Sequence, residues 1–259
     1  MRIPLYHLDA FSAKAFGGNP AAVCPLPSWI DDGLMQSIAA ENNLAETAFF
    51  APVAGGYHIR WFTPTAEVDL CGHATLASAH VIFEHFNREA QSVTFESRSG
   101  PLRVDRRDDS LVLDFPSLAP APRAGLPELT AALGAAPLET LQAKSLLAVY
   151  ATEREVRALS PDFEAMRKLE SFGVIVTAPG TDVDFVSRFF APKVGVNEDP
   201  ATGSAHCTLT PYWAARLGKN SLRARQVSER GGELWCELAG DRVRIAGHVT
   251  PYLAGAIDV

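Results

Sequence analysis

Runs rich in β-branched and aromatic residues predict strands at 3–11, 47–51, 57–63, 110–115, 145–150, 172–177, 184–190, 233–238 and 242–246. Helices are predicted at 31–42, opening with Asp31 and Asp32 as caps, and at 161–169. Two further helix candidates, His73 to Phe86 and Ala201 to Leu217, carry apolar residues nearly all round. Leu76, Ala77, Ala79, Val81, Ile82 and Phe83 do so in the first; Leu209, Tyr212, Trp213, Ala214 and Leu217 do so in the second. That is the pattern of a helix buried on every side. Pro211 is expected to kink the second one or restrict its first turns. Gly17-Gly18-Asn19-Pro20 and Gly231-Gly232 read as tight turns.

The two buried helices sit in matching contexts. Arg60-Trp61-Phe62-Thr63-Pro64 reads as a strand end, followed by a polar loop to Cys71-Gly72-His73-Ala74-Thr75. Arg188-Phe189-Phe190-Ala191-Pro192 is followed, at nearly the same offset, by Asp199-Pro200-Ala201-Thr202-Gly203-Ser204. A proline-dense stretch from Pro116 through Pro120 and Pro122 to Pro127 reads as a linker between the two halves. The expected fold is therefore α+β, with two pseudo-symmetric lobes at residues 1–116 and 117–259, each a sheet around one buried helix, and a cleft between them. A chain of 259 residues that is 47% hydrophobic has ample material for such cores.

Composition narrows the function. A net charge of −7 argues against a nucleic-acid partner, which would demand a basic face. Met1-Arg2-Ile3-Pro4 lacks the apolar run of a secretory signal, and no segment approaches a membrane span, so a cytoplasmic protein without a membrane partner is expected. The four cysteines, Cys24, Cys71, Cys207 and Cys236, form neither a disulfide framework nor a zinc ribbon and are expected to be reduced thiols. Cys71-x-His73 with His80 and His85 suggests zinc, but no fourth ligand comes at a metal-site spacing, so no metal is expected. Dinucleotide, phosphate-loop and hydrolase-elbow motifs are absent.

A buried helix that starts in a small-residue turn presents free backbone N–H groups and the positive end of its dipole. Two such ends facing one cleft would hold an anion such as a substrate carboxylate. Near them lie His73 in the first turn, Asp199 and Ser204 in the second, and Glu46 on the loop Asn42-Asn43-Leu44-Ala45-Glu46-Thr47. A partly desolvated carboxylate suits proton transfer, which makes Glu46 a candidate general acid/base. Plainer readings stand beside these. Asp199 also suits a helix cap, Ser204 local hydrogen bonding, His73 a satisfied core histidine, and Glu46 a solvated loop carboxylate.

Five segments carry a resemblance. They are Asp9-Ala10-Phe11 with Phe16-Gly17-Gly18-Asn19-Pro20-Ala21-Ala22-Val23; Asn43-Leu44-Ala45-Glu46-Thr47-Ala48-Phe49; Arg60-Trp61-Phe62-Thr63-Pro64 with Glu67-Val68-Asp69-Leu70-Cys71-Gly72-His73-Ala74-Thr75; Glu198-Asp199-Pro200-Ala201-Thr202-Gly203-Ser204-Ala205-His206; and Gln226-x-Ser228-x-Arg230-Gly231-Gly232-x-Leu234. In order from residue 9 to about 234, they resemble the phenazine biosynthesis PhzF-like family. The resemblance implies a diaminopimelate epimerase-like fold, two lobes each with a barrel-like sheet around a central helix. It implies that Glu46 is the catalytic carboxylate moving a proton between substrate carbons, that His73, Asp199 and Ser204 surround and orient the substrate, and that the backbone near Gly72 and Gly203 lies at the helix ends. The expected activity is a cofactor-independent isomerase acting on a small anionic metabolite, of the dihydro-hydroxyanthranilate kind. Related two-thiol racemases use one cysteine from each lobe. Cys71 matches the first, but the second motif has no cysteine before Cys207, which disfavours that chemistry. An epimerase using Cys71 with a non-thiol partner, and a metabolite-binding protein without chemistry, are the other readings. A homodimer is expected, as the commonest assembly of soluble enzymes.

Overall fold

Strand β1 (Arg2–Ala10) runs antiparallel to β2 (Asn19–Pro25), and after helix α1 (Asp32–Asn42) β2 gains a parallel neighbour in β3 (Glu46–Val53). The computed structural model describes all 259 residues in two units, Met1–Asp114 with Ala246–Val259, and Phe115–Ile245. In the first unit β3 pairs antiparallel with β4 (Gly56–Phe62), and β4 pairs antiparallel with the short β5 (Glu67–Val68). After helix α2 (Gly72–Val81) and a π-helical turn (Ile82–Phe86), β6 (Ser92–Glu96) joins β4 in parallel. Strands β7 (Leu102–Arg107) and β8 (Ser110–Pro116) continue antiparallel. Helix α2 packs against β1, β2 and β3, and every α2 side chain from His73 to Val81 except His80 is buried. Its small residues let the strands approach closely. Its two buried hydroxyls return hydrogen bonds within the helix, Thr75 to Cys71 O at 2.6 Å and Ser78 to Ala74 O at 2.7 Å.

The second unit repeats this order. Strand β9 (Ala121–Pro122), helix α3 (Pro127–Leu133), β10 (Glu139–Gln142) and β11 (Leu146–Val149) come first, then helices α4 (Glu153–Ala158) and α5 (Phe163–Arg167). Strand β12 (Val174–Pro179) then lies parallel to β11, and β13 (Phe185–Ala191) antiparallel to β12. The short β14 (Val196–Asp199) pairs antiparallel with β13. Helix α6 (Gly203–Leu217) follows, then β15 (Ser221–Gln226) parallel to β13, with β16 (Gly232–Ala239) antiparallel to β15 and β17 (Arg242–Gly247) after it. The succession of parallel and antiparallel pairings from β2 to β7 thus recurs from β11 to β16, with the buried helix at the same place. The fold is α+β and pseudo-symmetric, as expected. Helix α6 runs through Pro211. The carbonyl that loses its donor there, Cys207 O, accepts instead from Leu118 N in the proline-rich segment at 3.0 Å.

Three differences from the sequence expectations have physical causes. Dividing the chain at 116 leaves residues 246–259 with the second lobe, whereas the C-terminal strand Val249–Asp258 pairs with β1 from Arg2↔Asp258 to Ala10↔Val249 and belongs to the first unit. Asn19-Pro20 opens β2 rather than completing a turn. The turn itself is carried by Gly18 at φ +64°, where a Cβ would meet Ala10 O at 2.1 Å. Strands β7 and β15 escape a search for apolar runs because their outward positions are charged or polar; Leu102 and Val104, or Leu222 and Ala224, alternate inward.

One ion pair appears twice at the same topological position. Arg60 on β4 forks onto Glu67 of β5, Nε to Oε1 at 2.7 Å and the second guanidinium nitrogen to Oε2 at 2.9 Å. Arg188 on β13 forks onto Glu198 of β14 with the same two distances, 2.7 and 2.9 Å. Each fork ties down the strand that leads into the buried helix. The Arg60 hydrogen bond holds the Glu67 carboxyl below the ordinary glutamate range. A folded-state pKa below the unfolded one gives stability that is complete above the unfolded value and lost as pH falls through the folded one. Glu67→Gln is therefore expected to lower unfolding free energy by about 2 kcal/mol at neutral pH and to flatten the stability decline below about pH 4.3, as read from urea melts across that range.

Candidate active site

Glu46 is the first residue of β3, paired with Ala21 of β2, and not part of a loop. Because side chains alternate along a strand, this register places its carboxylate beside the start of α2, while Thr47 turns the other way into the core. His73 is the second residue of α2, and Cys71 is its N-cap. The structure brings the three together. His73 Nε2 lies 3.2 Å from Glu46 Oε2. Cys71 Sγ lies 3.5 Å from His73 Nδ1 and 3.9 Å from Nε2. His73 and Cys71 are buried, and Glu46 is 16% exposed. Glu46 Oε2 is itself buried and accepts no hydrogen bond, so its contact with His73 is an ion pair.

The electrostatics sort these groups by role. Burial penalises a charged His73, but the Cys71 sulfur and the Glu46 carboxylate outweigh it and hold the imidazole well above its ordinary range. Burial first, and the Glu46 charge second, push the Cys71 thiol up to about 11. With the thiol neutral at pH 7, the Glu46 carboxylate is the charge left to hold a proton on the imidazole. The plain reading of His73 as a satisfied core histidine fits His206 instead. That ring is buried, its Nδ1 bonds Thr202 O at 2.8 Å, and burial lowers it to about 4. Cys207 lies inside α6 with its thiol directed at Gly203 O at 3.8 Å, and burial raises it to about 12. It has the environment of a core thiol and not of a base.

In the second unit Asp199 ends β14 and does not cap α6; the cap position is Thr202. The turn between them is held from β15 by Gln226, which is fully buried. Gln226 Oε1 accepts from Thr202 N at 2.8 Å, which fixes the orientation of the amide. Its Nε2 therefore donates to Asp199 O at 2.6 Å and Thr202 Oγ1 at 3.1 Å. With that oxygen already accepting, the Thr202 hydroxyl donates its own hydrogen to Asp199 Oδ2. Ser228 closes the same turn, donating to Pro200 O at 2.7 Å and accepting from Gly231 N at 3.1 Å. Gly203 is the first residue of α6, and Ser204 is exposed in its first turn.

The structure thus gathers Glu46, Gly72 and His73 at one helix start, and Asp199, Gly203 and Ser204 at the other. His80 and His85, weighed as ligands beside Cys71 and His73, lie elsewhere. They line a cavity of about 470 Å³ with Tyr6 and Glu84, and the His85 ring stacks on Tyr6 with centroids 4.7 Å apart. The sequence reading gave no role to Gln226 beyond its place in a motif, nor to the Arg60–Glu67 and Arg188–Glu198 forks. Their signal was the repeat itself, since each Arg-aromatic-Phe strand end is followed by a Glu before its helix.

A sequence profile of the family described as phenazine biosynthesis-like protein matches residues 8–255. The chain is 54% identical over 258 residues to an uncharacterized isomerase of Pseudomonas aeruginosa, with 99% of each covered. Among solved structures, a phenazine biosynthesis protein of the PhzF family from Enterococcus faecalis matches with a TM-score of 0.98 and 46% identity over 100% of both chains. A hydroxyproline epimerase from Agrobacterium vitis, at 12% identity, shares the fold with a TM-score of 0.64 over 99% of this chain and 92% of its own. No helix is long and apolar enough to cross a membrane.

Replacing Gln226 by Leu keeps the volume but takes the acceptor away from the buried Thr202 N–H. At about 1–3 kcal/mol for one unsatisfied buried group, a loss of that size in unfolding free energy is expected from chemical denaturation.

Proposed function

This chain belongs to the phenazine biosynthesis-like family, and from that premise we propose that it is an isomerase that moves a proton within a small carboxylate-bearing metabolite, with Glu46 as general acid/base. The observation that carries the reading is the buried Glu46–His73 pair at 3.2 Å, set at the start of α2. The His73 ring sets a fixed positive charge directly beside the carboxylate that is to accept the proton. Its partially dry surroundings lower the cost of returning that proton to carbon, since little water has to reorganise.

Removing a proton from carbon builds negative charge on the conjugated acid. Imidazolium His73 and the free N–H groups at the start of α2 are positive groups fixed in place before that charge appears. We assign Asp199, Ser204 and the N–H groups at Gly203 to substrate binding in the second unit, with Asp199 oriented by the Thr202 hydroxyl and Gln226. Glu46 takes the proton from one carbon and redelivers it to another position of the same unsaturated system, so atoms balance without a co-reactant. An epimerase that uses Cys71 as its base is less well served, because a thiol pushed up to about 11 is protonated at neutral pH. The physiological assembly we propose is a homodimer in the cytoplasm, and no cofactor takes part in this scheme.

The test is hydrogen exchange. Unsaturated acids and amino acids incubated with the enzyme in deuterated buffer are expected to include one that gains deuterium at carbon, followed by NMR. Glu46→Gln should slow that exchange by at least ~10²-fold, the usual contribution of a positioned acid/base. Full exchange by Glu46→Gln would remove the assignment.

A further inference from the structure

The C-terminal strand β18 (Val249–Asp258) pairs with β1 along one edge, and its other edge carries no strand. Such edges are normally blunted by charges, prolines or bulges, because their unpaired N–H and C=O groups are a template for another chain. In β18 these devices are confined to the first half, where Pro251 lies beside the register shift between His7 and Leu8 of β1. From Leu253 to Ile257 the pairing with β1 is regular, no residue carries a charge, and Leu253, Ala254, Gly255 and Ala256 are all exposed. The apolar surface continues beyond the strand: Tyr252 is 52% exposed and packs edge-on to Phe16, itself 71% exposed, with ring centroids 5.6 Å apart. The Pro251–Ala254 segment also forms one wall of the cavity of about 470 Å³ that Tyr6 of β1 and His80 and His85 at the end of α2 line from the other side.

We propose that this edge is the contact surface of a homodimer, in which β18 pairs antiparallel with β18 of a second copy about a two-fold axis at Gly255. Gly255 is the midpoint of the regular, uncharged segment, and its neighbours Ala254 and Ala256 add little bulk to keep two backbones apart. In this register Leu253 of each copy lies opposite Ile257 of the other, an apolar pair on both sides of the axis. Charge favours a second copy at this place. Two chains of net charge −7 repel, and here they meet without bringing like charges together. The one acidic residue of the strand, Asp258, falls opposite Tyr252 of the other copy, so the two Asp258 side chains are separated by six residues of strand, about 20 Å, well beyond the Debye length of about 8 Å. Antiparallel pairing of identical strands also consumes both free edges, so the assembly closes at two. A small molecule in the cavity would leave the edge bare, whereas a second strand covers the edge and the mouth of the cavity together. The interface rests on the homodimer proposed above and is independent of the role of Glu46.

Sedimentation equilibrium and a cross-link test the interface on the full chain. The parent protein is expected to be a dimer. Leu253→Lys alters a side chain that is already 46% exposed, and the two-fold axis makes the change appear twice, so the dimer should weaken by at least ~10²-fold. Leu138→Lys, at a 68% exposed position of the second unit, should leave it intact. Circular dichroism checks that both variants are folded. Gly255→Cys places one thiol on each side of the axis with Cα atoms about 4.5–5.5 Å apart, within disulfide reach. A Cβ at Gly255 meets nothing closer than Leu253 Cδ2 at 3.8 Å, so the variant is accommodated. Mild oxidation with copper phenanthroline should convert it to a covalent dimer, while the parent, whose four cysteines are all buried, should not cross-link. A parent that is monomeric at every concentration overturns both the interface and the homodimer, and leaves the edge to an extended peptide of another protein. A dimer that survives Leu253→Lys, with no cross-link through Gly255→Cys, overturns the interface and leaves the homodimer standing. Deuterium exchange tests Glu46 separately from either outcome.

Discussion

The bidentate fork between an arginine on a long strand and a glutamate on the short strand after it is the interaction on which both helix starts depend. Arg60 is 13% and Arg188 12% exposed, so each fork is largely shielded from water, where two parallel charge-assisted bonds define an orientation as well as a distance. Neither arginine is replaceable by lysine, because an ammonium makes point contacts and cannot hold two oxygens in a plane. Each guanidinium also lies over an aromatic face, Arg60 at 5.2 Å from the Phe62 centroid and Arg188 at 4.9 Å from that of Phe190. Arg188 further donates to Val156 O and Leu159 O, tying the end of α4 to the same anchor. The segments that follow, from Glu67 to Cys71 and from Glu198 to Thr202, have little regular structure of their own. With one end clamped and the other entering a buried helix, their course is determined from both sides.

The two units use this shared frame differently. In the first, the turn is left comparatively polar at its centre, and a carboxylate arrives from β3 to meet the helix start. In the second, Gln226 reaches in from β15 and makes three hydrogen bonds to the turn with its side-chain amide. One fully satisfied amide there leaves Asp199 with a defined orientation. The first turn is thus built around a charge that can change, and the second around a geometry that does not. A duplicated fold allows this division, because the frame tolerates exchange of the groups placed on it.

Much of this was readable from residue order, and the reasons are physical. Helix α2 announces itself because a helix buried all round must be apolar on every face; α6 was expected to be the same, but Tyr212 is only half-buried and its last turn, with Leu217, is exposed. The strand ends announce themselves because Trp61, Phe62, Phe189 and Phe190 fill the cores beneath them. Strands such as β7 and β15 stayed hidden because half their positions face water and carry charge. The C-terminal strand stayed hidden for another reason: Val249–Asp258 is mostly exposed, and what places it is the unpaired edge of β1, some 240 residues away in sequence, which no local pattern encodes. The family motifs identified Glu46, His73 and Asp199 as residues of interest. Only the register of β3 on β2 shows that Glu46 and His73 meet.

That meeting also bears on the state of the cysteine at 71. A thiol at a helix N-terminus is ordinarily made more acidic, since the helix dipole stabilises thiolate. Here burial and the neighbouring Glu46 charge reverse the effect and hold the sulfur neutral. A neutral thiol and a carboxylate thus flank one imidazole ring. Removing the Glu46 charge would take away the largest Coulombic opposition to a Cys71 thiolate and leave burial, the larger cause, in place.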